Sequence, residues 1–318
     1  MNALDIRHDV GTSVTVRDGD TELLRYVYRP DTAQLESPKP YIDPLRTRAG
    51  HVVSLFRPHD HVWHKGIAWS LPNVGEENFW GGPTYIHGRF YVQLENNGTQ
   101  AHRRIVALER ANDAATFSHD LDWITQAGTR FFTEHRTLRA HLISSQAWAL
   151  TFETRLTNVS GAEVAIGSPT TKGRENAGYG GLFWRGPRSF TGGRFVTEEG
   201  LGGDEVRGRR LPWMGFEGRH DVTAEQSLVL MVDDAANPNH PPQWFARTEE
   251  FACLNPAPFF SEELMVGHGA TVGFRYGVAV ADADASAAPE LADAVRRILT
   301  HSDAPVSAGG TRVGIQER

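Results

Sequence analysis

WALTFETRL, residues 148–156, shows the alternation that decides the fold class. Trp148, Leu150, Phe152 and Leu156 are apolar and share one parity, whereas the residues between them are small, polar or charged. Successive side chains of a β-strand point to opposite faces of the sheet. The segment is therefore predicted to be a strand with one face on a core and the other face toward water or a polar layer.

Other segments repeat this pattern and are separated by turn signals. Two apolar runs flank Asp-Gly in SVTVRDGDTELLRYVY (13–28) and Asn-Asp in RRIVALERANDAATFSHDLDWI (103–124), and a further turn is predicted at 126–128. Later strands are predicted at SLVLMV (227–232) and TVGFRYGVAVA (271–281). Many strands with few helices predict an all-β sandwich.

The single helical pattern is PELADAVRRILT (289–300), in which the apolar residues have helical spacing and the arginines come late, as the helix dipole favours. We therefore predict one β-sandwich domain over residues 1–285, a short C-terminal helix over residues 286–301 and a disordered tail over residues 302–318. The stretch 170–220 is rich in Gly and Arg without a clear period, so we expect an irregular, functional segment there.

Composition excludes several classes of protein. The 318-residue chain has a net charge of −7 and no basic run, so we expect no nucleic-acid partner. Cys253 is the only cysteine, which excludes an intramolecular disulfide and suits a reducing compartment. No apolar segment approaches the roughly 20 residues of a membrane helix, and MNALDIRHDVGTS at the start lacks the features of a signal peptide. We expect a soluble, cytoplasmic protein without a membrane partner.

RPHDHVWHKG (57–66) concentrates three of the fourteen histidines, His59, His61 and His64. It follows HVVSLF (51–56), which is predicted to be a buried strand, so the histidines are expected in a loop where they contribute little packing. In an extended chain His59 and His61 share a face. His64 joins them only if the chain turns between residues 61 and 64.

Three hypotheses explain this histidine box. It is a polar loop, or it holds a divalent metal through His59, His61 and His64, because imidazole binds Zn, Cu, Fe and Ni. Alternatively it performs acid/base chemistry, because imidazole titrates near neutral pH, with Lys65 holding an anionic group. A lysine ammonium next to a dication is unfavourable, so we favour the acid/base site without a cofactor and keep the divalent metal as the alternative.

Three further stretches carry polar groups beside aromatic ones, as a sugar site requires. Asn78 and Trp80 lie in GIAWSLPNVGEENFWGGPTY (66–85). TTKGRENAGYGGLFWRGP (170–187) and WMGFEGRHD (213–221) add cations, a carboxylate and more rings. We predict that the histidine box, residues 172–185 and residues 213–221 line one cavity that binds a small molecule.

Several motifs together resemble the soluble bacterial "PmoA-like" family of unknown function, over roughly residues 25–282. They are YIDPLRTRAGHVVSLFRPHDHVWHKGIAW (41–69), ENFWGG (77–82), YGGLFWRG (179–186) and NPNHPPQWF (237–245). The family label refers to a membrane methane monooxygenase subunit, which has spanning helices that this chain lacks. The family's box usually reads D-H-x-H-H-x-G. Here Trp63 replaces one of its histidines, so a metal centre using that histidine is not implied.

TFETRLTNVSGAEVAIGSP (151–169) is similar to a strand–turn–strand unit of the galactose mutarotase-like supersandwich. This resemblance implies a β-supersandwich with a sugar-sized pocket. Sugar mutarotases carry a catalytic histidine shortly after this turn, and residues 162–185 contain none. A simple aldose 1-epimerase is therefore not implied, and the fold alone does not define the reaction.

Together these observations predict a carbohydrate-active enzyme of acid/base type, an epimerase, lyase or hydrolase acting on a sugar or an oxidised sugar. His61 and His64 are the predicted acid/base pair, and Glu175 is a second catalytic carboxylate. Substrate-binding residues are predicted at His59, Lys65, Asn78, Trp80, Arg174, Tyr179, Arg185, Trp213 and His220. The alternatives are a metal-dependent oxygenase or lyase that uses His59, His61 and His64, and a non-catalytic sugar-binding module.

Overall fold

The computed structural model describes residues 4–111 and 113–301, and the backbone of residues 311–312. In chain order the strands are β1 (Leu4–Asp9), β2 (Ser13–Asp18), β3 (Thr21–Val27), β4 (Tyr41–Leu45), β5 (Ile67–Ser70), β6 (Asn73–Val74), β7 (Thr84–Ile86), β8 (Phe90–Val92), β9 (Thr99–Arg110), β10 (Ala114–Ile124), β11 (Arg130–Leu142), β12 (Ala147–Asn158), β13 (Val164–Gly167), β14 (Gly181–Arg185), β15 (Arg194–Thr197), β16 (Gly200–Gly202), β17 (Trp213–Arg219), β18 (Gln226–Asp233), β19 (Gln243–Arg247), β20 (Cys253–Ala257), β21 (Leu264–Val266), β22 (Thr271–Ala281) and β23 (Thr311–Arg312). The α-helix is α1 (Ala288–His301), and short 3₁₀ turns cover Gln34–Glu36, Arg188–Phe190, Asp204–Val206 and Ala285–Ala287.

Two large sheets contain most of these strands. One has ten strands in the order β16-β15-β17-β18-β22-β12-β11-β10-β9-β23, and the other has eight in the order β1-β2-β3-β4-β5-β14-β20-β19. Their facing sides form one apolar core, in which the Trp69 ring of β5 lies 5.1 Å from the Phe274 ring of β22. The predicted all-β sandwich is therefore confirmed.

The segment that predicted the fold is central to the larger sheet. β12 pairs antiparallel with β11 on one side and with β22 on the other, and Trp148, Leu150, Phe152 and Leu156 are all fully buried. The predicted hairpins are confirmed in the pairs β2–β3, β9–β10 and β10–β11. Alternation of apolar residues was a reliable guide in these strands because one of their faces packs on the core.

The C-terminal helix is also confirmed, and it covers the outer face of the ten-stranded sheet. Leu291, Val295 and Leu299 of α1 are buried in a second apolar cluster with residues of β18 and β22. A Cβ atom on Gly277 of β22 would lie 2.1 Å from Val295 Cγ1, so only glycine permits this close approach. The predicted disordered tail, 302–318, lies outside the described residues, except that the backbone of β23 pairs with β9.

Two predictions about irregular and regular segments are wrong. HVVSLF (51–56) is not a strand, because its backbone divides its hydrogen bonds: Val53 N donates to the carbonyl of Leu45, and Leu55 N donates to that of Arg185. The stretch 170–220 is not wholly irregular, since it contains four strands, β14 to β17. Among the described residues, no helix combines the length and the apolar composition that a membrane span requires.

The outer face of the eight-stranded sheet positions the candidate site. In β14 the side chains of Leu182 and Trp184 enter the core, so Phe183 and Arg185 point to the opposite face. β19 and β20 repeat this alternation. Their outward residues join residues from loops in a third apolar cluster: Trp80, Phe183, Phe245, Phe251, Cys253, Ala257 and Phe260. An aromatic floor is thus built on the side of the sheet that faces away from the core.

Candidate functional site

A cavity of about 350 Å³ opens above this aromatic floor. Its aromatic wall consists of Trp63, Trp80, Tyr91, Tyr179, Phe183, Phe245 and Phe251, and its other lining residues are His61, His64, Gly81, Pro83, Arg174, Arg247 and Glu250. The volume lies at the lower end of the range of about 300–1,000 Å³ typical of small-molecule sites. The cavity therefore combines apolar surface with a small number of polar groups, as ligand pockets commonly do.

The histidine box turns back on itself, which brings two of its histidines together. His61 N donates to the carbonyl of Pro58, and His64 N donates to the carbonyl of His61 at 2.9 Å. This turn stacks the two imidazole rings, with centroids 4.6 Å apart and planes 4° from parallel. His59 remains exposed and does not line the cavity, so the box supplies two histidines to the site.

Arg185 determines the tautomer of His64. Its guanidinium is fully buried, and Nη1 donates to Nδ1 of His64 at 2.9 Å. Arginine has no acceptor, so Nδ1 of His64 must offer its lone pair and the ring proton must lie on Nε2. Burial, with the positive groups around it, holds the pKa of His64 well below its usual value, so the ring is neutral. Nε2–H of His64 is the donor left for a ligand.

Asp60 assigns the opposite tautomer to His61. Burial alone would raise the pKa of Asp60, but hydrogen bonds from Arg185 and His61 lower this pKa to about 2. The carboxylate is therefore an acceptor, and Nδ1–H of His61 donates to it at 3.1 Å. Burial lowers the pKa of His61, partly opposed by Asp60. Nε2 of neutral His61 therefore carries a lone pair and can accept a proton, whereas Nε2 of His64 carries a proton.

The ion pair between Asp60 and Arg185 joins these two arrangements. Arg185 Nη2 lies 3.1 and 2.9 Å from the two carboxylate oxygens of Asp60. One ion pair, in which Nη2 contacts both carboxylate oxygens and Nη1 remains for His64, therefore fixes Nδ1 of His64 as an acceptor and Nδ1–H of His61 as a donor. The site can accept a proton at His61 and donate a hydrogen bond from His64 without either ring first changing its charge.

Comparison of the chain with known proteins identifies its family but no activity. Residues 13–295 match a family of unknown function, DUF6807. The chain belongs to the DUF6807 family. No curated protein matches it. The resemblances to the PmoA-like family and to the mutarotase-like supersandwich stay predictions, so the chemistry of this DUF6807 protein must be argued from its own residues.

Trp80 and Tyr179, both predicted to bind substrate, lie in the cavity wall. Their ring centroids are 4.7 Å apart, and Tyr179 also contacts Phe245 at 5.4 Å. Lys39 supports Trp80 from below, because its buried ammonium donates to the Trp80 carbonyl at 2.8 Å. Such adjacent rings offer an apolar surface to one face of a ligand.

Arg174 also lines the cavity, as predicted. Its guanidinium lies 4.6 Å from the Tyr91 ring centroid and 5.3 Å from that of Phe90, and Nη1 donates to the Tyr91 hydroxyl. The Tyr91 hydroxyl in turn lies 2.9 Å from that of Tyr179. These contacts join the β7–β8 hairpin to the loop that precedes β14.

Trp63 packs on two glycines of ENFWGG. A Cβ atom on Gly81 would lie 2.6 Å from Trp63 Cβ, and one on Gly82 would lie 2.6 Å from the indole ring. Both glycines have positive φ, +102° and +67°, so other residues would be strained there even without this contact. Trp63 thus forms part of the aromatic wall of the cavity.

Two residues predicted to bind substrate instead hold the loops around the cavity. Lys65 is buried and forms an ion pair with Glu36, which Arg57 also binds through two hydrogen bonds. Asn78 accepts from the backbone N–H groups of Trp80 and Gly81 and donates to neighbouring loop atoms. Their polar atoms are therefore engaged within the protein, and neither residue lines the cavity.

Other predicted residues lie away from the cavity. Glu175 is exposed and is not a lining residue, so the structure does not place it as a second carboxylate. Trp213 packs in the apolar cluster under α1, and His220 stacks on His51 at 4.7 Å with Nε2 2.7 Å from Ser227 Oγ. The prediction that residues 213–221 line the same cavity is wrong, because their strand belongs to the other large sheet.

Sequence analysis missed part of the lining. Phe183, Phe245 and Arg247 were not predicted, because β14 and β19 are buried on both faces and their patterns do not distinguish the core side from the cavity side. Asp60 was visible beside His61 in the box, and that adjacency was the available signal for the carboxylate–imidazole pair.

A metal-ion site requires several converging ligands. Within residues 4–111 and 113–301, no group of three or more His, Cys, Asp or Glu side chains is arranged to hold a metal ion. Nδ1 of His61 and Nδ1 of His64 are both engaged by protein groups, and His59 is exposed and is not a lining residue. The donor set assumed by the metal hypothesis does not converge in this arrangement.

Proposed function

We propose that this protein is an acid/base enzyme that moves a proton on a sugar-sized ligand with a carbonyl group, as an epimerase or a lyase does. The observation that carries this proposal is the pair of hydrogen bonds, from Arg185 to His64 Nδ1 and from His61 Nδ1 to Asp60, which assign opposite tautomers to the two stacked rings. His61 Nε2 is the base that takes the proton from a carbon atom. His64 Nε2–H donates to the oxygen on which negative charge develops.

A neutral donor beside a neutral base is well matched to this reaction. A neutral imidazole can stabilise a developing enolate oxygen while remaining uncharged, and two adjacent imidazolium rings would repel each other. Glycoside hydrolysis, in contrast, commonly uses two carboxylic acids. Glu250 is the carboxylate among the lining residues, and it is paired with Arg247, so the geometry favours proton transfer over hydrolysis.

The aromatic wall and the cavity volume support a carbohydrate or an oxidised sugar as the ligand. The apolar face of a sugar ring packs on flat aromatic rings such as Trp80 and Tyr179, and its hydroxyls form hydrogen bonds at the edges. The resemblance to the mutarotase-like supersandwich points in the same direction.

The test measures exchange of carbon-bound hydrogen with solvent, so it needs no knowledge of the final product. Keto-sugars and sugar acids are incubated with the protein in D₂O, and deuterium incorporation is followed by NMR. We expect exchange with wild type and a loss of about 10²–10⁴-fold in His61→Gln and His64→Gln. The matched control is His59→Gln, in the same loop but outside the cavity, which should retain full activity.

Two outcomes contradict the proposal. Full exchange activity in His61→Gln would show that His61 is not the base. Activity that is lost on treatment of wild type with a chelator and restored by a divalent metal moves the assignment to the metal-dependent alternative, with His59, His61 and His64 as its candidate ligands.

A second candidate is a non-catalytic sugar-binding module, which the seven aromatic residues of the cavity wall favour. Such a module needs no proton transfer. It therefore predicts saturable sugar binding without deuterium incorporation, and equal binding by wild type and His61→Gln.

A further inference from the structure

We propose that the cavity binds an anionic group, a carboxylate or a phosphate carried by a sugar-sized ligand, between Arg174 and Arg247. This inference rests on the proposed function in taking the cavity as the substrate site. It adds the charge class of the substrate and a residue, Arg247, that the sequence analysis did not identify.

Cationic groups surround the cavity on several sides. Arg174 and Arg247 line it, and two further arginines lie against its aromatic wall: Arg185, 3.8 Å from the Phe251 ring centroid, and Arg207, 5.6 Å from that of Phe245. Arg185 is paired with Asp60, and Arg207 with Asp204 at 3.0 Å. The whole chain has a net charge of −7, so this cluster of arginines is a local departure from its acidic character.

Arg174 is the cation without an acidic partner. In the part of the chain that the structure describes, no carboxylate forms an ion pair with it, and its hydrogen bond is to the Tyr91 hydroxyl. The stacking on Phe90 and Tyr91 fixes the plane of a group that has five N–H donors. A partly buried guanidinium in this state gains from an anionic ligand, because the ligand compensates its desolvated charge.

Arg247 has a partner that a ligand can displace. Nη1 pairs with Glu250, whose side chain is 70% exposed, and exposed pairs of this kind contribute little to stability. Nε of Arg247 is buried and has no hydrogen-bond partner within the described residues. The side chain of Arg247 is only 20% exposed and lines the cavity, so an anionic ligand compensates a partly desolvated guanidinium, as at Arg174.

The two arginines act on one region of the cavity. Arg174 donates to the Tyr91 hydroxyl, which lies 2.9 Å from that of Tyr179. The Tyr179 ring lies 5.4 Å from that of Phe245, and the Arg247 guanidinium lies 5.6 Å from the Phe245 ring centroid. The Arg247 guanidinium also lies 5.5 Å from the Phe251 ring centroid, and the Phe251 and His61 ring centroids are 5.4 Å apart. An anion bound between the arginines is therefore close to the proposed base, which would place the neutral, reacting part of the ligand toward the two histidines.

The test uses three probes that share one ring and differ in charge: D-glucose, D-glucuronate and D-glucose 6-phosphate. Their binding to the full chain is measured by calorimetry at constant ionic strength. We expect an anionic probe to bind at least about tenfold more tightly than glucose, and Arg174→Gln or Arg247→Gln to remove about tenfold of that preference. The better of the two anions identifies the group as carboxylate or phosphate.

Two variants separate ligand binding from a general effect on the fold. Glu250→Gln removes the competing carboxylate, so it should tighten binding of the anion while the arginine variants weaken it. Arg296→Gln is the matched control, because Arg296 and Asp293 form a similar exposed pair three residues apart on α1, and it should change nothing. The melting temperature of each variant is measured to verify that it is folded.

The proposal is overturned if glucose binds as tightly as both anions, if neither anion binds, or if Arg174→Gln and Arg247→Gln leave the binding of the anion unchanged. The proposed function fails separately. In one outcome, anion binding depends on Arg174 and persists in His61→Gln, but wild type shows no deuterium exchange. This result supports the anion site and contradicts the proposed enzyme activity. In the converse outcome, deuterium exchange depends on His61, but binding does not depend on the charge of the probe. This result supports the enzyme activity and contradicts the anion site.

Discussion

At the scale of the residue, His61 and His64 differ in burial although they lie three positions apart. The sequence predicts that both are loop residues with little packing. The structure confirms a partly exposed His61, with 36% of its side chain accessible, but His64 is only 4% exposed and contacts Phe183 at 4.6 Å. The expectation is wrong for His64 because the turn directs its ring onto the aromatic floor.

This difference gives a prediction about stability. His64→Ala should lower the free energy of unfolding by about 2–4 kcal/mol, because it leaves a cavity and removes the acceptor of a buried arginine. His61→Ala should lower it by less than about 1 kcal/mol. Urea denaturation of the two variants measures both values. Equal, small effects would contradict the packing described for His64.

Asp60 gives a prediction about pH. Burial keeps the pKa of His61 below 6.5, so the fall in kcat/KM on the acid side should occur below pH 6.5, where His61 becomes protonated. Asp60 raises that pKa, so Asp60→Asn should lower it further and move the acid limb to still lower pH, together with a loss of activity. A pH–rate profile of both proteins measures the shift. A limb that moves to higher pH in Asp60→Asn contradicts the assigned hydrogen bond.

At the scale of the element, the β7–β8 hairpin contributes Tyr91 to the cavity wall but belongs to neither large sheet. It forms a sheet of two strands, and such a hairpin is only marginally stable by itself. Its Tyr91 hydroxyl contacts both Arg174 and Tyr179, which belong to the loop before β14. These contacts are expected to hold the hairpin over the cavity.

Tyr91→Phe should therefore loosen the hairpin while retaining its aromatic ring. We expect faster amide hydrogen exchange over residues 84–92 and a loss of about 1 kcal/mol in the free energy of unfolding. Tyr85→Phe, in the same hairpin but not a lining residue, is the matched control. Unchanged exchange over 84–92 in Tyr91→Phe would show that the hydroxyl does not hold the hairpin.

Elements also show how far the sequence determines the structure. β12 and β22 were predictable because each has a clear turn or polar boundary and an apolar face that packs on a core. The site was predictable in part, because two histidines of the box line one cavity with three other predicted residues: His61, His64, Trp80, Arg174 and Tyr179. Lys65 was misassigned because its partner, Glu36, is 29 residues away and local sequence does not indicate such a pair.

At the scale of the whole molecule, buried histidines couple stability to pH. His119 is fully buried, and its ring nitrogens lie 2.9 Å from the Tyr26 hydroxyl and from His102 Nδ1. Burial holds the pKa values of His64 and His119 well below 6.5, so both remain neutral in the folded state while the unfolded chain binds protons below about pH 6.5. The unfolded state then gains protons that the folded state does not.

The free energy of unfolding should therefore be highest above about pH 6.5 and should decrease as the pH falls below it, by about 1.4 kcal/mol per pH unit for each such group. Urea denaturation between pH 5 and pH 7 measures this slope, which corresponds to the uptake of about one proton per buried histidine on unfolding. His119→Gln should reduce the slope. A stability that is constant over this range would contradict the neutral burial of both rings.

The measurement that tests the central claim most directly is the tautomeric state of His61 and His64, observed by long-range ¹H–¹⁵N NMR at neutral pH, with assignments from His61→Gln and His64→Gln. The structure predicts two neutral rings of opposite kind, His61 with its proton on Nδ1 and His64 with its proton on Nε2. Two rings in the same tautomer, or a charged His64, would contradict the proposed division of base and donor.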